Sequence, residues 1–246
     1  MVKMKNKIKI TVMIFLAAAG IMLIGCFVYI SGGYKADMNS IVAFSAGTDV
    51  TKSVSENEYA YYSDEVKAGL VFYPGGKVES TSYEPLMRTL ADRGLMCILM
   101  DMPFDLAVFD VSAAEGVKEK YPDVERWYMA GHSLGGAMAA SYISENTSAY
   151  EGLILLGAYS TDDLSSSGLD VLSLYGSKDK VLDKTKYNDN IKNLPEGFTE
   201  IIIQGGNHAY FGMYGNQEGD GTAEITNEEQ IIFTADTIAE FILREE

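Results

Sequence analysis

The chain has only two cysteines and two histidines among 246 residues, and both shortages narrow its chemistry. Cys26 lies in an apolar N-terminal run, and Cys97 lies in Leu95-Met96-Cys97-Ile98-Leu99-Met100, the pattern of a buried strand. Two such positions do not meet easily, so no disulfide is expected and the fold must rely on its core. Basic residues are scarce too: 19 Lys and Arg stand against 35 Asp and Glu, for a net charge of −16. The first 30 residues hold four lysines and no acid, so removing those four positive charges from −16 leaves −20 on the remainder. A surface this acidic repels nucleic acid and anionic headgroups, and nucleic acid is not an expected partner. Internal repeats and low-complexity tracts are also missing. The acidic loop Gly215-Asn216-Gln217-Glu218-Gly219-Asp220-Gly221 lacks the alternating ligands of a calcium-binding loop, so no metal is assigned and no cofactor is expected.

What is present begins with a membrane signal. Lys3, Lys5, Lys7 and Lys9 precede an uncharged, mostly apolar run from Ile10 to Ile30, 21 residues long. About 20 residues suffice to cross a bilayer. Residues 1–30 are therefore expected to form an N-terminal transmembrane helix or signal segment. The lysines favour a cytoplasmic N-terminus, which places a single-pass protein in the cell membrane with its main domain outside the cytoplasm. Leu23-Ile24-Gly25-Cys26 also fits a lipobox, so a lipoprotein processed at Cys26 is the alternative, and ordinary signal-peptide cleavage is a third. Residues 31–57, polar and rich in Ser, Thr and Gly, read as a spacer with room for one edge strand.

From residue 58 to 246, apolar strand patterns alternate with helical ones. Strands are expected at 58–63, 68–73, 95–100, 126–130, 152–156, 171–175 and 200–203. Helices are expected at 83–93, 111–120, 137–143, 184–193 and 227–244. This alternation predicts an α/β domain, a mostly parallel sheet with helices on both faces.

Gly131-His132-Ser133-Leu134-Gly135 fits the Gly-x-Ser-x-Gly elbow, in which a serine sits on a tight turn between a strand and a helix. Such a serine needs a base to take its proton. His132 adjoins the serine, and its ring should point away into the packing. His208, in a glycine-rich loop after the apolar run 200–204, is the expected base. An acid should lie between serine and histidine in the chain. Asp179, after the run Val171-Leu172-Ser173-Leu174-Tyr175 and a turn, fits best, with Asp162 and Asp163 as fallback. Asp183 reads as a helix N-cap and Asp170 as a strand-entry residue. Oxyanion donors are expected at the Leu134 amide and at Gly76 in Tyr73-Pro74-Gly75-Gly76, with Lys77 next.

With these residues in view, the chain from about residue 58 onward resembles an α/β-hydrolase. Ser173-Leu174-Tyr175-Gly176-Ser177-Lys178-Asp179 is similar to that family's acid-bearing strand and turn, and Gly206-Asn207-His208 is similar to its histidine loop. The closest flavour is the compact, lidless esterase-like branch related to dienelactone hydrolases, from which the chain departs in using serine. It departs from lipases in having Tyr73-Pro74-Gly75-Gly76 where many carry a histidine-glycine motif. The resemblance implies a Ser133-His208-Asp179 triad and a serine hydrolase that cleaves a small-molecule acyl substrate through an acyl-enzyme. An ester is favoured over an amide or lactone. The same apparatus can transfer the acyl group to an envelope alcohol, and a noncatalytic surface binding module on the same fold is the alternative from another class. The short stretch from Leu156 to Asp170 leaves little room for a lid, so an open site is expected. The aromatic residues after His208 could wall the pocket or pack on the sheet.

Overall fold

The computed structural model describes residues 13–16, 18, 20–22, 25, 32–45 and 49–244. The chain divides into two units, Met1–Gly33 and Tyr34–Glu246. In the first, every described residue from 13 to 25 is helical, and Met13, Ile14, Phe15, Leu16, Ile21 and Met22 are exposed. Among the described residues no helix is long and apolar enough to cross a membrane. Much of the run expected to do so lies outside the described residues, as does Cys26.

The second unit contains strands β1 (Thr51–Val54), β2 (Glu58–Tyr62), β3 (Ala68–Tyr73), β4 (Leu95–Met100), β5 (Trp127–His132), β6 (Gly152–Leu156), β7 (Asp170–Gly176) and β8 (Thr199–Ile203). They form one sheet in the order β1-β2-β4-β3-β5-β6-β7-β8. β1 pairs with β2 and β2 with β4 antiparallel, and every other pairing is parallel. β3 to β6 are buried along their whole length. That burial explains their unbroken apolar runs, because a parallel strand is covered on both faces.

The helices are α1 (Met38–Ser45), α2 (Glu84–Asp92), α3 (Val117–Lys120), α4 (Leu134–Ser144), α5 (Lys184–Asn190) and α6 (Asn227–Leu243). One face of the sheet carries Leu86, Met87 and Leu90 of α2 with Ile231, Ile238 and Phe241 of α6. The other carries Ala139, Ala140 and Ile143 of α4 with Val117 of α3. Pro85 near the start of α2 pre-sets helical φ, and Gly94 follows its end at φ 93. A reciprocal capping box between Thr226 and Glu229 starts α6.

Two expectations are corrected. The helix expected at 111–120 is confined to Val117–Lys120, after Gly116 at φ 77. Upstream, backbone polar groups find a partner elsewhere: the Tyr73 hydroxyl donates to Val111 O at 2.8 Å and accepts from Ala114 N at 2.9 Å. A phenol thus takes the place of helical hydrogen bonds. The segment read as a spacer, 31–57, is partly folded onto the domain. Ile41 of α1 is buried in the core, and Tyr34 bridges to Val78, its N–H donating to Lys77 O at 2.7 Å. Ile41 is the one fully buried residue of this short helix, too little to set up a helical burial pattern.

Candidate active site

Ser133 is the single residue between β5 and α4, at φ 52 and ψ −122. A non-glycine residue there costs about 1–3 kcal/mol and persists only where its surroundings over-determine it. Here they do. Ser133 N–H donates to Leu156 O at 2.9 Å and Ser133 O accepts from Ala137 N at 3.1 Å. A Cβ on Gly131 would lie 2.6 Å from the Gly135 backbone, and one on Gly135 only 2.1 Å from Pro74 O. The glycines let α4 settle onto the ends of β5 and β3, and the serine is carried at the crest of the turn.

The sheet order brings the ends of β5, β6, β7 and β8 side by side. Asp179, just beyond β7, and His208, beyond β8, meet there, with His208 Nδ1 2.8 Å from Asp179 Oδ2. The other carboxylate oxygen of Asp179 accepts from Val181 N at 2.9 Å and Leu182 N at 2.8 Å. Burial pushes the Asp179 carboxyl up, but His208 and these two amides outweigh it and hold the group below the usual carboxylate range. His208 Nε2 is buried and has no hydrogen-bond partner. Ser133 and His208 line one cleft of about 280 Å³, with apolar walls from Leu134, Ala137, Val181 and Leu182. Their side chains are not hydrogen-bonded to each other; contacts of this kind commonly tighten in the substrate complex.

The partner of His208 Nδ1 is Asp179 and neither of the fallback acids, Asp162 and Asp163. Asp163 is exposed and accepts from Ser165 N at 3.0 Å. Asp183 caps α5, accepting from Thr185 N and Lys186 N, and Asp170 opens β7.

Leu134 opens α4, so its amide has no intrahelical acceptor. On the facing loop, Lys77 N–H is committed to Asp105 O at 2.7 Å. That leaves Gly76 as the better donor of the two. A Cβ on Gly76 would sit 2.9 Å from Leu134 Cδ2, so the two backbone segments are close neighbours.

His132 turns away from the cleft and is buried, with Nδ1 2.7 Å from the Tyr83 hydroxyl. Tyr83 in turn accepts from Gly75 N at 3.0 Å. The His132 and His208 rings are 4.5 Å apart between centroids. Burial, reinforced by the adjacent His208, holds the His132 pKa well below the ordinary histidine value.

The residues after His208 pack on the sheet: Phe211, Met213 and Tyr214 belong to its core. Asp220 of the acidic loop is a backbone clamp, its carboxylate accepting from Ala209 N at 2.9 Å and Gly221 N at 2.7 Å. Among the described residues no group of three or more His, Cys, Asp or Glu could hold a metal. Cys97 is a buried free thiol.

The profile of the alpha/beta hydrolase family matches residues 69–232, two thirds of the chain. The chain belongs to the alpha/beta hydrolase family. Solved structures of the same fold include a predicted CIB-like hydrolase from Thermoplasma acidophilum, 16% identical over 79% of this chain and 100% of that one, with TM-score 0.58. TT1662 from Thermus thermophilus is 13% identical over 80% and 99%, with TM-score 0.58. Est1E from Butyrivibrio proteoclasticus is 15% identical over 80% and 100%, with TM-score 0.57. No curated protein matches the chain significantly. Membership of this hydrolase family supports hydrolytic activity without selecting the dienelactone hydrolase branch.

In this alpha/beta hydrolase, three residues near the site lie beyond a motif reading. Gly157, at φ 52, leaves room for the acid and base, since a Cβ there would meet His208 Nδ1 at 2.9 Å. Its position directly after the run Leu153-Ile154-Leu155-Leu156 is a signal that was available. Gln230, fully buried on α6, accepts from Asn207 N at 3.0 Å and donates to Asn207 O at 2.9 Å. A glutamine on the apolar face of a helix marks such a site. Tyr83 carries no comparable signal.

Proposed function

We propose that the protein is a serine hydrolase that cleaves a short acyl ester through a covalent intermediate. The observation that carries this reading is the buried His208–Asp179 pair: His208 lines the same cleft as the strained Ser133, and its Nε2 has no hydrogen-bond partner. In the proposed reaction Ser133 Oγ attacks the ester carbonyl as His208 Nε2 accepts its proton. Asp179 holds the Nδ1–H tautomer and stabilises the imidazolium. The Leu134 and Gly76 amides bind the oxyanion, a contribution that preorganised donors make without reorganising during the reaction. Collapse breaks the bond to the alcohol, which leaves with the proton from His208. Water, deprotonated by the same nitrogen, then releases the acid and restores the serine. The cleft's modest volume and apolar walls favour a small acyl group.

The domain is further proposed to stand outside the cytoplasm on a membrane anchor formed by residues 1–30, processing at Cys26 being the alternative. The uncharged run from Ile10 to Ile30 and the exposed, helical apolar residues within it support that reading.

Labelling with a fluorophosphonate and hydrolysis of p-nitrophenyl acetate test the chemistry. Both are expected in the wild type and absent in Ser133→Ala and His208→Ala. Unchanged turnover in folded Ser133→Ala would overturn the assignment.

A further inference from the structure

Beyond the residues given chemistry above, two buried side chains join the oxyanion loop to the nucleophile strand. Tyr83 and His132 are both buried, and neither faces the cleft that Ser133 and His208 line. The Tyr83 hydroxyl accepts the Gly75 N–H at 3.0 Å and lies 2.7 Å from His132 Nδ1. With Gly75 occupying its acceptor side, the hydroxyl hydrogen is directed to Nδ1. That direction makes His132 neutral with its proton on Nε2, a buried atom that has no hydrogen-bond partner. A positive charge on His132 would oppose the imidazolium that His208 must form 4.5 Å away, ring to ring. The fit around this contact is tight: a Cβ on Gly75 would lie 2.7 Å from His132 Nδ1 and 2.8 Å from the Tyr83 hydroxyl.

We propose that Tyr83 and His132 are positioning residues for the oxyanion loop: the Tyr83 hydroxyl, oriented by His132, fixes the Gly75 amide and thereby aims the adjacent Gly76 amide at the developing oxyanion. The chain of contacts runs from Gly75 through Tyr83 to His132, which immediately precedes the serine. Donor and nucleophile are therefore set by one rigid connection. Oxyanion donors act through placement, so freeing the loop removes transition-state stabilisation while leaving substrate binding in place.

This inference rests on the hydrolase reading, and Tyr83→Phe tests it because the ring keeps its packing against Phe72 at 5.0 Å and loses only the hydroxyl. With p-nitrophenyl acetate, kcat should fall about 10- to 100-fold, less than the loss of a whole oxyanion donor, with KM within about threefold. A purely structural role would instead lower the concentration of active sites titrated by fluorophosphonate and leave kcat per site unchanged; that result overturns the proposal, as does wild-type kcat. A second arm needs no turnover. Nitrogen NMR should show His132 Nδ1 as an unprotonated acceptor, and amide exchange at Gly75 should accelerate in Tyr83→Phe. A wild type that hydrolyses no ester and takes no label defeats the hydrolase reading, while the NMR arm still decides the clamp: a protonated Nδ1, or unchanged Gly75 exchange, overturns it.

Discussion

At Gly157 the backbone φ is 52, and a Cβ there would be 2.9 Å from His208 Nδ1 and 3.3 Å from Asp179 Oδ2. Both constraints act on one position: an L side chain is strained there, and the added methyl would press on the ring that Asp179 holds. Gly157→Ala is expected to cost about 1–3 kcal/mol of stability and to lower kcat at least tenfold, since the imidazole must move to make room. Urea denaturation alongside ester kinetics checks both effects; a variant that is destabilised with unchanged kcat would show that the ring tolerates the methyl. Ser133, Asp179 and His208 are legible in the sequence because each follows an apolar strand run closely, and such strand ends are where an α/β sheet presents its chemistry. The bond between Tyr83 and His132 is not legible. It spans 49 positions and exists because β3 lies beside β5 in the sheet, a neighbour relation absent from local pattern.

At the scale of elements, the histidine loop depends on a helix it does not belong to. Gln230 of α6 holds both the N–H and the C=O of Asn207, the residue before His208. Gln230→Leu keeps much of the side-chain volume and strands both groups in a buried site. The expected loss is about 2 kcal/mol or more, the penalty of unsatisfied buried polar groups. It should be seen as a lower urea midpoint with an unchanged m-value, and a midpoint equal to wild type would show that Asn207 finds other partners. The parallel strands were readable to within a residue or two, because burial on both faces writes itself as an apolar run. The segment before α3 was not: a helical reading fails where a hydroxyl from β3 takes the backbone's hydrogen bonds. Helix α1 escaped for a different reason, since Ile41 alone anchors it among the fully buried residues.

Across the whole molecule, charge and hydropathy are segregated along the chain. Four lysines precede the apolar run, and the remaining residues carry the −20 obtained by taking those four charges from −16. A net charge of this sign is repelled by anionic headgroups, so the proposal assigns membrane association to the N-terminal segment. Expressed in full, the protein is expected to pellet with membranes and resist extraction by 1 M salt, while residues 34–246 alone stay in the supernatant. A soluble full-length chain would remove the anchor from the proposal.

The grip of α6 on the histidine loop also bears on biosynthesis. Ser133 and its elbow lie more than ninety residues upstream of Gln230. A ribosome can therefore expose the nucleophile well before the helix that steadies its base exists. Until α6 docks, the emerging chain carries a serine without a well-held histidine loop, and on the proposed function full activity waits for that helix.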